Sequence, residues 1–396
     1  MLKRIPRTVL ALGLVSLFMD ISSEMIHSLL PVFLVTVLHS DALFVGLIEG
    51  VAEATALITK TFSGALSDWL GKRKILVVLG YSLSTITKPF FALANSVEVV
   101  LGARFVDRIG KGIRGAPRDA LVADVTPPAS RGASFGLRQS LDTVGAFLGP
   151  ALAMILMLAS SNDFRLVFWI AVIPGILAVI ILLSAVKESN AHSKSAVHRS
   201  IKLNEIISLG GLYWMVVGFG FLFSLARFSE AFLLLRAESV GVSESLIPGI
   251  LIVMNIFYAL TAYPAGYLSD RLGRTGLLAI GLVFLVISYL VLAFSSNGWI
   301  VAIGAALWGL HMGLTQGLLS TLVADTARKK LRATAFGIFN LASGIALLIA
   351  NLIAGELWDS IGVPSTFITS AFFALFALII FRIILYKLKN SNATSL

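Results

Sequence analysis

Asp20, Glu24 and His27 stand at i, i+4 and i+7, a spacing that lays three proton-accepting side chains along one face of a helix. Glu49 and Glu53 repeat the four-residue step on the next apolar stretch, with Lys60 further along the same stripe. Four carboxylates on two neighbouring helices repel one another when all are ionised, so at least one must hold a proton near neutrality or meet a cation. That is what reversible proton binding requires. Asp20 and Glu24, then Glu53, lie closest to the centres of their segments and are the expected proton carriers, with His27 and Glu49 lining the same region.

A second stripe is basic. Arg104, Arg108, Lys111, Arg114 and Arg118 fall within roughly a third of a helix circumference at about 100° per residue. Asp107 and Asp119 accompany them, and Lys88, Arg138 with Asp142, and Arg227 with Glu230 add further charges on other segments. Arginine keeps its charge, so it can hold an anionic group or steady a nearby acid, but it cannot shuttle protons. Two readings stay open. Arg114, Arg118, Asp119 and Asp124, near one helix end, read as a mutually neutralising network, whereas Lys88, Arg104 and Arg108 could contact an anionic solute. Arg227, Glu230, His311, Gln316 and Asn340 complete the candidate cavity, although interhelical hydrogen bonding explains each polar residue by itself, and a lone His311 reads first as packing.

Other chemistries lack their residues. There is no cysteine, His27 and His311 are the only histidines inside apolar segments, and neither a His-x-x-x-His spacing nor a phosphate-binding glycine loop occurs. No metal site, cofactor or nucleotide-driven pump is expected.

The elements that carry these charges are membrane-spanning helices. Of 396 residues 57% are hydrophobic and 13% charged, about half the charge of an aqueous domain. Stretches such as Gly276–Phe294 are uncharged and long enough to cross a hydrocarbon core of about 30 Å. Nothing alternates as a barrel strand would, so the fold class is an all-α membrane protein. Punctuation by charged, Gly, Pro, Asn and Ser residues predicts twelve segments, near 8–38, 42–66, 75–94, 97–123, 132–158, 164–186, 207–235, 246–268, 276–295, 299–323, 333–358 and 364–386. The net charge of +10 is dispersed along the chain and does not suggest nucleic acid. Lys3, Arg4, Arg7, Lys72, Arg73, Lys74, Lys187, Lys194, Arg199, Lys202, Arg328, Lys329, Lys330, Lys387 and Lys389 all fall on alternate connections or termini, which places both termini in the cytoplasm, at a cell (inner) membrane.

Two patterns recur. Gly64-Ala-Leu-Ser-Asp68-Trp-Leu-Gly71 returns as Gly266-Tyr-Leu-Ser-Asp270-Arg-Leu-Gly273, an offset of 202 residues. Ala123-Asp124, Arg131 and Phe135-Gly136 return at an offset of 201. A shift of six spans preserves orientation, so parallel repeats are expected: a six-helix bundle at 1–186, a cytoplasmic linker at 187–206 and a second six-helix bundle at 207–396.

With these features the chain resembles the major facilitator superfamily over its whole length. The loop residues Gly64, Asp68, Gly71, Arg73 and Lys74 match the family's signature, with Trp69 replacing a basic residue; Gly266, Asp270, Arg271, Gly273 and Arg274 form the second copy. The resemblance implies that both loops latch the cytoplasmic side. Gly145, Gly149 and Pro150 are similar to a motif of members that exchange drugs for protons. It further implies a monomer of two pseudo-symmetric six-helix bundles rocking about a central cavity, binding a small-molecule substrate and protons within the lipid bilayer. Proton-coupled export is the leading expectation. Uptake of a small metabolite or organic anion is the alternative, and a non-transporting membrane sensor ranks below both; no enzyme is expected.

Overall fold

A computed structural model of the chain describes residues 5–186, 209–272, 274–315, 318–327 and 331–393. The expected linker with Lys187, Lys194, Arg199 and Lys202 lies outside these residues, as do Lys3, Arg4, Gly273, Gln316, Arg328, Lys329 and Lys330. The helices are α1 (Arg7–His27), α2 (Leu30–Thr36), α3 (Ala42–Leu70), α4 (Arg73–Leu93), α5 (Val97–Val125), α6 (Arg131–Ala159), α7 (Phe164–Ala185), α8 (Gly211–Leu225), α9 (Ala231–Ser239), α10 (Pro248–Leu272), α11 (Arg274–Ala293), α12 (Gly298–Thr315), α13 (Leu318–Thr326), α14 (Arg332–Ser360) and α15 (Val363–Ala393). Among the described residues each expected segment contains helix, and no strand occurs.

Among the described residues, nine helical spans are long and apolar enough to cross a membrane, and Gly211–Leu225 and Pro248–Ala262 are shorter apolar helices. The remaining expected span, α5, is outside both sets because its charged stripe lowers its hydropathy. It is helical all the same.

Two expected spans are broken. The segment expected at 8–38 stops at His27 and restarts at Leu30, because Pro31 has no N–H and its ring collides with the carbonyl four residues back, that of His27. The segment expected at 207–235 is interrupted from Ala226 to Glu230, where there is no proline. Tertiary partners take the released backbone groups instead: Ser229 N–H donates to Asn351 Oδ1 at 2.8 Å, and the Tyr289 hydroxyl donates to the Ala226 carbonyl at 2.6 Å. Interrupted spans are tolerated where such partners exist.

The chain divides into two compact units. The first comprises Met1–Ser40, Val51–Arg199 and Ser243–Ile252; the second comprises Asp41–Gly50, Ser200–Val242 and Val253–Leu396. In unit 1, α1 packs on α6 and α7, and α4 packs on α5 and α7, around Leu12, Val15, Met19, Tyr81 and Leu182. In unit 2, α11 packs on α12 and α15, and α14 packs on α8, with Phe228, Tyr289, Trp308 and Phe367 forming an aromatic cluster. The stretch Asp41–Gly50 is held in unit 2 by Asp359, whose carboxylate accepts the N–H groups of Ala42 at 3.1 Å and Leu43 at 2.8 Å. Asp359 thereby satisfies donors that the first turn of α3 leaves open.

Candidate functional site

Unit 1 gathers most of the charged residues. The crossing of α1 and α6 is set by glycine. A Cβ built on Gly145 would lie 2.8 Å from Asp20 Cβ, and one built on Gly149 would lie 2.5 Å from Glu24 Cβ. The two helices therefore touch backbone to backbone at the two turns that carry the carboxylates, an approach that only small residues permit. Pro150 follows within α6.

On α5 the basic stripe turns toward α1, α3 and α4. Lys111 has Arg108, Glu53, Glu24 and Asp20 as its charged neighbours. It is exposed, and the Glu53 side chain is 37% exposed. Ionised groups this accessible in the middle of spanning helices must meet water, since hydrocarbon would exact a large penalty. Arg108 reaches Glu53 Oε1 at 3.4 Å and His27 Nε2 at 3.5 Å, while His27 Nδ1 lies 3.6 Å from Glu24 Oε1. Glu53 and Lys111 thus form a hydrated charged group on this unit, and Asp20, Glu24, His27 and the buried Arg108 adjoin it. Lys111 stands in the sequence stripe but was not singled out by it; its accessible position follows from helix rotation, which spacing leaves open by about one turn.

Other candidates sit elsewhere. Lys88 is not open to water as a cavity residue would be: its side chain is 1% exposed and its ammonium donates to Asp107 Oδ1 at 3.2 Å and Ser23 Oγ at 3.0 Å. Arg104 is buried beside His27. Arg114 donates to Ser84 Oγ and lies over the Tyr81 ring, while Arg118 donates to Ser16 and pairs with Asp119. These are packed networks.

In unit 2, Glu49 is buried and accepts from the Ser229 hydroxyl at 3.2 Å. Arg227 and Glu230 flank Ser229 at the break between α8 and α9. His311 is completely buried, stacks on Phe223 and pairs with the Gly281 carbonyl at 2.8 Å, the packing role a lone histidine suggests. Asn340 is half-buried on α14.

At the loop after α3, Gly71 adopts φ +61, a conformation glycine takes without strain. Arg73 bridges Asp68 at 3.5 Å and Asp124 at 3.1 Å, and the Lys74 ammonium donates to the Leu183 carbonyl at the end of α7. Asp68 is 61% exposed, and Gly64 sits close to Ala116 of α5. The side chains of Gly266, Asp270, Arg271 and Arg274 lie outside the described residues.

The model of the Major Facilitator Superfamily matches residues 12–235 and 220–395. An MFS-type transporter of Methanocaldococcus jannaschii is 34% identical over 362 residues, covering 90% of this chain and 89% of that protein. The quinolone resistance protein NorA of Staphylococcus aureus is 23% identical over 324 residues, covering 79% and 80%. Among solved structures, the nucleoside transporter NupG matches with a TM-score of 0.77 at 14% identity, covering 96% of this chain and 99% of that one. A D-xylose–proton symporter matches at 0.74 and 16% identity, covering 96% and 97%.

Proposed function

Because the chain belongs to the Major Facilitator Superfamily and is a multi-pass membrane transporter rather than an enzyme, we propose that it moves a small organic solute by alternating access, coupled to protons carried by Asp20, Glu24 or Glu53. The observation that carries this reading is the hydrated group in unit 1, where three carboxylates meet Lys111 and Arg108. Gain or loss of one proton there changes the charge balance of a site that solute also enters, and each would shift the same conformational equilibrium by differential binding. Export is favoured by the close seating of Gly145 and Gly149 against α1 and by the similarity to the staphylococcal quinolone resistance protein. In this reading the protein works as a monomer in the cytoplasmic membrane, with both termini and the 187–206 linker on the cytoplasmic side. The bundles at 1–186 and 207–396 rock, and the loops around Asp68 and Asp270 latch the cytoplasmic face.

The test is flux in proteoliposomes against a pooled library of metabolites and toxic organics, with and without an imposed pH gradient. Proton-driven flux that falls at least tenfold in Asp20→Asn or Glu24→Gln is the expected result. Flux indifferent to the gradient in the native protein would overturn the coupling.

The uptake of an organic anion is favoured by one specific observation, the Arg108 guanidinium set 3.4 Å from Glu53 Oε1 and 3.5 Å from His27 Nε2, beside the accessible Lys111. If the solute is anionic, Arg108→Gln should raise KM by about 10–100-fold, the loss of one charge-assisted hydrogen bond of about 1.5–3 kcal/mol. Arg108→Lys should recover only part of this, because a point charge does not reproduce the guanidinium fork. An unchanged KM in Arg108→Gln would exclude the anion contact.

A further inference from the structure

The α6 residues Arg138, Asp142, Gly145 and Gly149 follow one another at steps of four, three and four, so they share the helix face turned to α1. The contacts along that face run in register. A Cβ on Gly13 of α1 would lie 3.9 Å from the Arg138 Cα, while Gly145 and Gly149 meet Asp20 and Glu24. Asp142, just under one turn before Gly145, lies on the same face and is a charged neighbour of Asp20.

The two oxygens of Asp142 are treated differently. Oδ2 accepts from Arg138 Nη1 at 2.6 Å, a charge-assisted hydrogen bond. Oδ1 is buried and accepts no hydrogen bond. A buried carboxylate oxygen left without a donor carries a penalty that the fold rarely tolerates. On the facing turn of α1 stands Asp20, a charged neighbour of Asp142 whose carboxyl carries a donor when protonated.

We propose that Asp20 and Asp142 hold one proton between them, the Asp20 carboxyl donating to Asp142 Oδ1, and that this pair is the proton-binding site. The inference rests on the proton-coupled reading above and narrows it. Two adjoining carboxylates do not both ionise cheaply, so the pair titrates as a unit. Its surroundings are rich in cations. From α5, Lys111, Arg114 and Arg118 face Asp20. Arg118 also faces Asp142, and Asp119 lies 3.7 Å from Arg138 Nε. Arg138 acts as a positioning residue that fixes Asp142 as the acceptor. Glu24 and Glu53, which share Lys111, are left to the solute side of the hydrated group. Loss of the proton puts a second negative charge at the α1–α6 crossing, and the shared proton holds that crossing together.

The test is a pH titration of the protonated-carboxyl infrared band of the purified full-length protein in lipid nanodiscs, with proton-driven flux measured on the same preparations. The native protein should show a band that persists above the ordinary carboxylate range and is absent from Asp20→Asn. In Asp142→Asn the band should disappear at a pH at least one unit lower, a tenfold change in proton affinity, because the repelling charge is gone. In Arg138→Gln it should persist to higher pH, because the Asp142 charge has lost its partner. Opposite shifts from two neighbouring substitutions cannot come from general destabilisation. A band that survives Asp20→Asn, or an identical midpoint in Asp142→Asn and the native protein, overturns the pair. If the band behaves as expected but flux ignores the pH gradient, the coupling reading fails and the shared proton stands. If flux is proton-driven while Asp142→Asn leaves the midpoint unmoved, the pair fails and the coupling stands.

Discussion

Gly149→Ala is expected to reduce transport at least tenfold and to lower thermal stability, although it adds a single methyl group. That methyl would lie 2.5 Å from Glu24 Cβ and 3.0 Å from the Ile21 carbonyl, so α1 and α6 must move apart at the turn that carries Glu24. Overpacking of this kind costs about 1–3 kcal/mol, and the displacement falls on the charged group itself. Gly145→Ala should act similarly through Asp20, with Leu17 O 2.9 Å from the added carbon. Gly136, on the same helix, has nothing within 4 Å of a built Cβ. Gly136→Ala should therefore be neutral or stabilising by up to about 1 kcal/mol through helix propensity. Flux and detergent melting temperature on the three variants decide the matter, and equal behaviour of Gly136→Ala and Gly149→Ala would refute the close-packing argument.

The second large effect is expected at the buried pair of Lys88 and Asp107, and it should be asymmetric. Asp107→Leu leaves the Lys88 ammonium beside Arg104 and Arg114 with only the Ser23 hydroxyl as an acceptor. Removing one partner of a buried pair costs about 3–5 kcal/mol. Lys88→Met should cost less, because Asp107 keeps Arg104, Arg108 and Arg114 as neighbouring cations. In Lys88→Met with Asp107→Leu, part of the loss should return, giving a coupling energy in a double-mutant cycle. Thermal unfolding of the four proteins in detergent reads all three quantities. Additive losses would mean that the two side chains do not act as a pair.

Much of this architecture was legible along the chain because lipid demands long apolar helices and leaves charges to mark their ends. Pro31 stood in plain view as a helix breaker, yet the expected first span ran through it. The break at Ala226–Glu230 had no local signal at all. The groups it releases are met by Asn351, more than a hundred residues away, which accepts the Ser229 N–H, and by Tyr289, which donates to the Ala226 carbonyl. The site divides in the same way. The steps from Asp20 to Glu24 and from Arg104 to Arg108 showed which residues share a stripe, since periodicity is local. Which partner each would meet depends on helix rotation and crossing, and so Lys88 turned out to be closed off with Asp107 while Lys111 faces water. Asp142 was visible as the i+4 partner of Arg138, but its second oxygen, and the acid beside it, belong to the tertiary structure.

The charged stripe of α5 bears on how the protein is made. A charge at the centre of a span adds about 2.5–3.5 kcal/mol to its insertion through the translocon, and Arg104, Asp107, Arg108 and Lys111 follow one another within two turns. As a solitary segment α5 would therefore be rejected to the aqueous side during synthesis. What makes it acceptable to the bilayer was translated before it: Lys88 on α4 neutralises Asp107, Glu53 on α3 meets Arg108, and Asp20 and Glu24 on α1 face Lys111. These four helices must then enter the lipid as one partly folded assembly. The order of the elements along the chain, counter-charges first and the charged helix afterwards, lets the nascent protein chaperone its own most polar span.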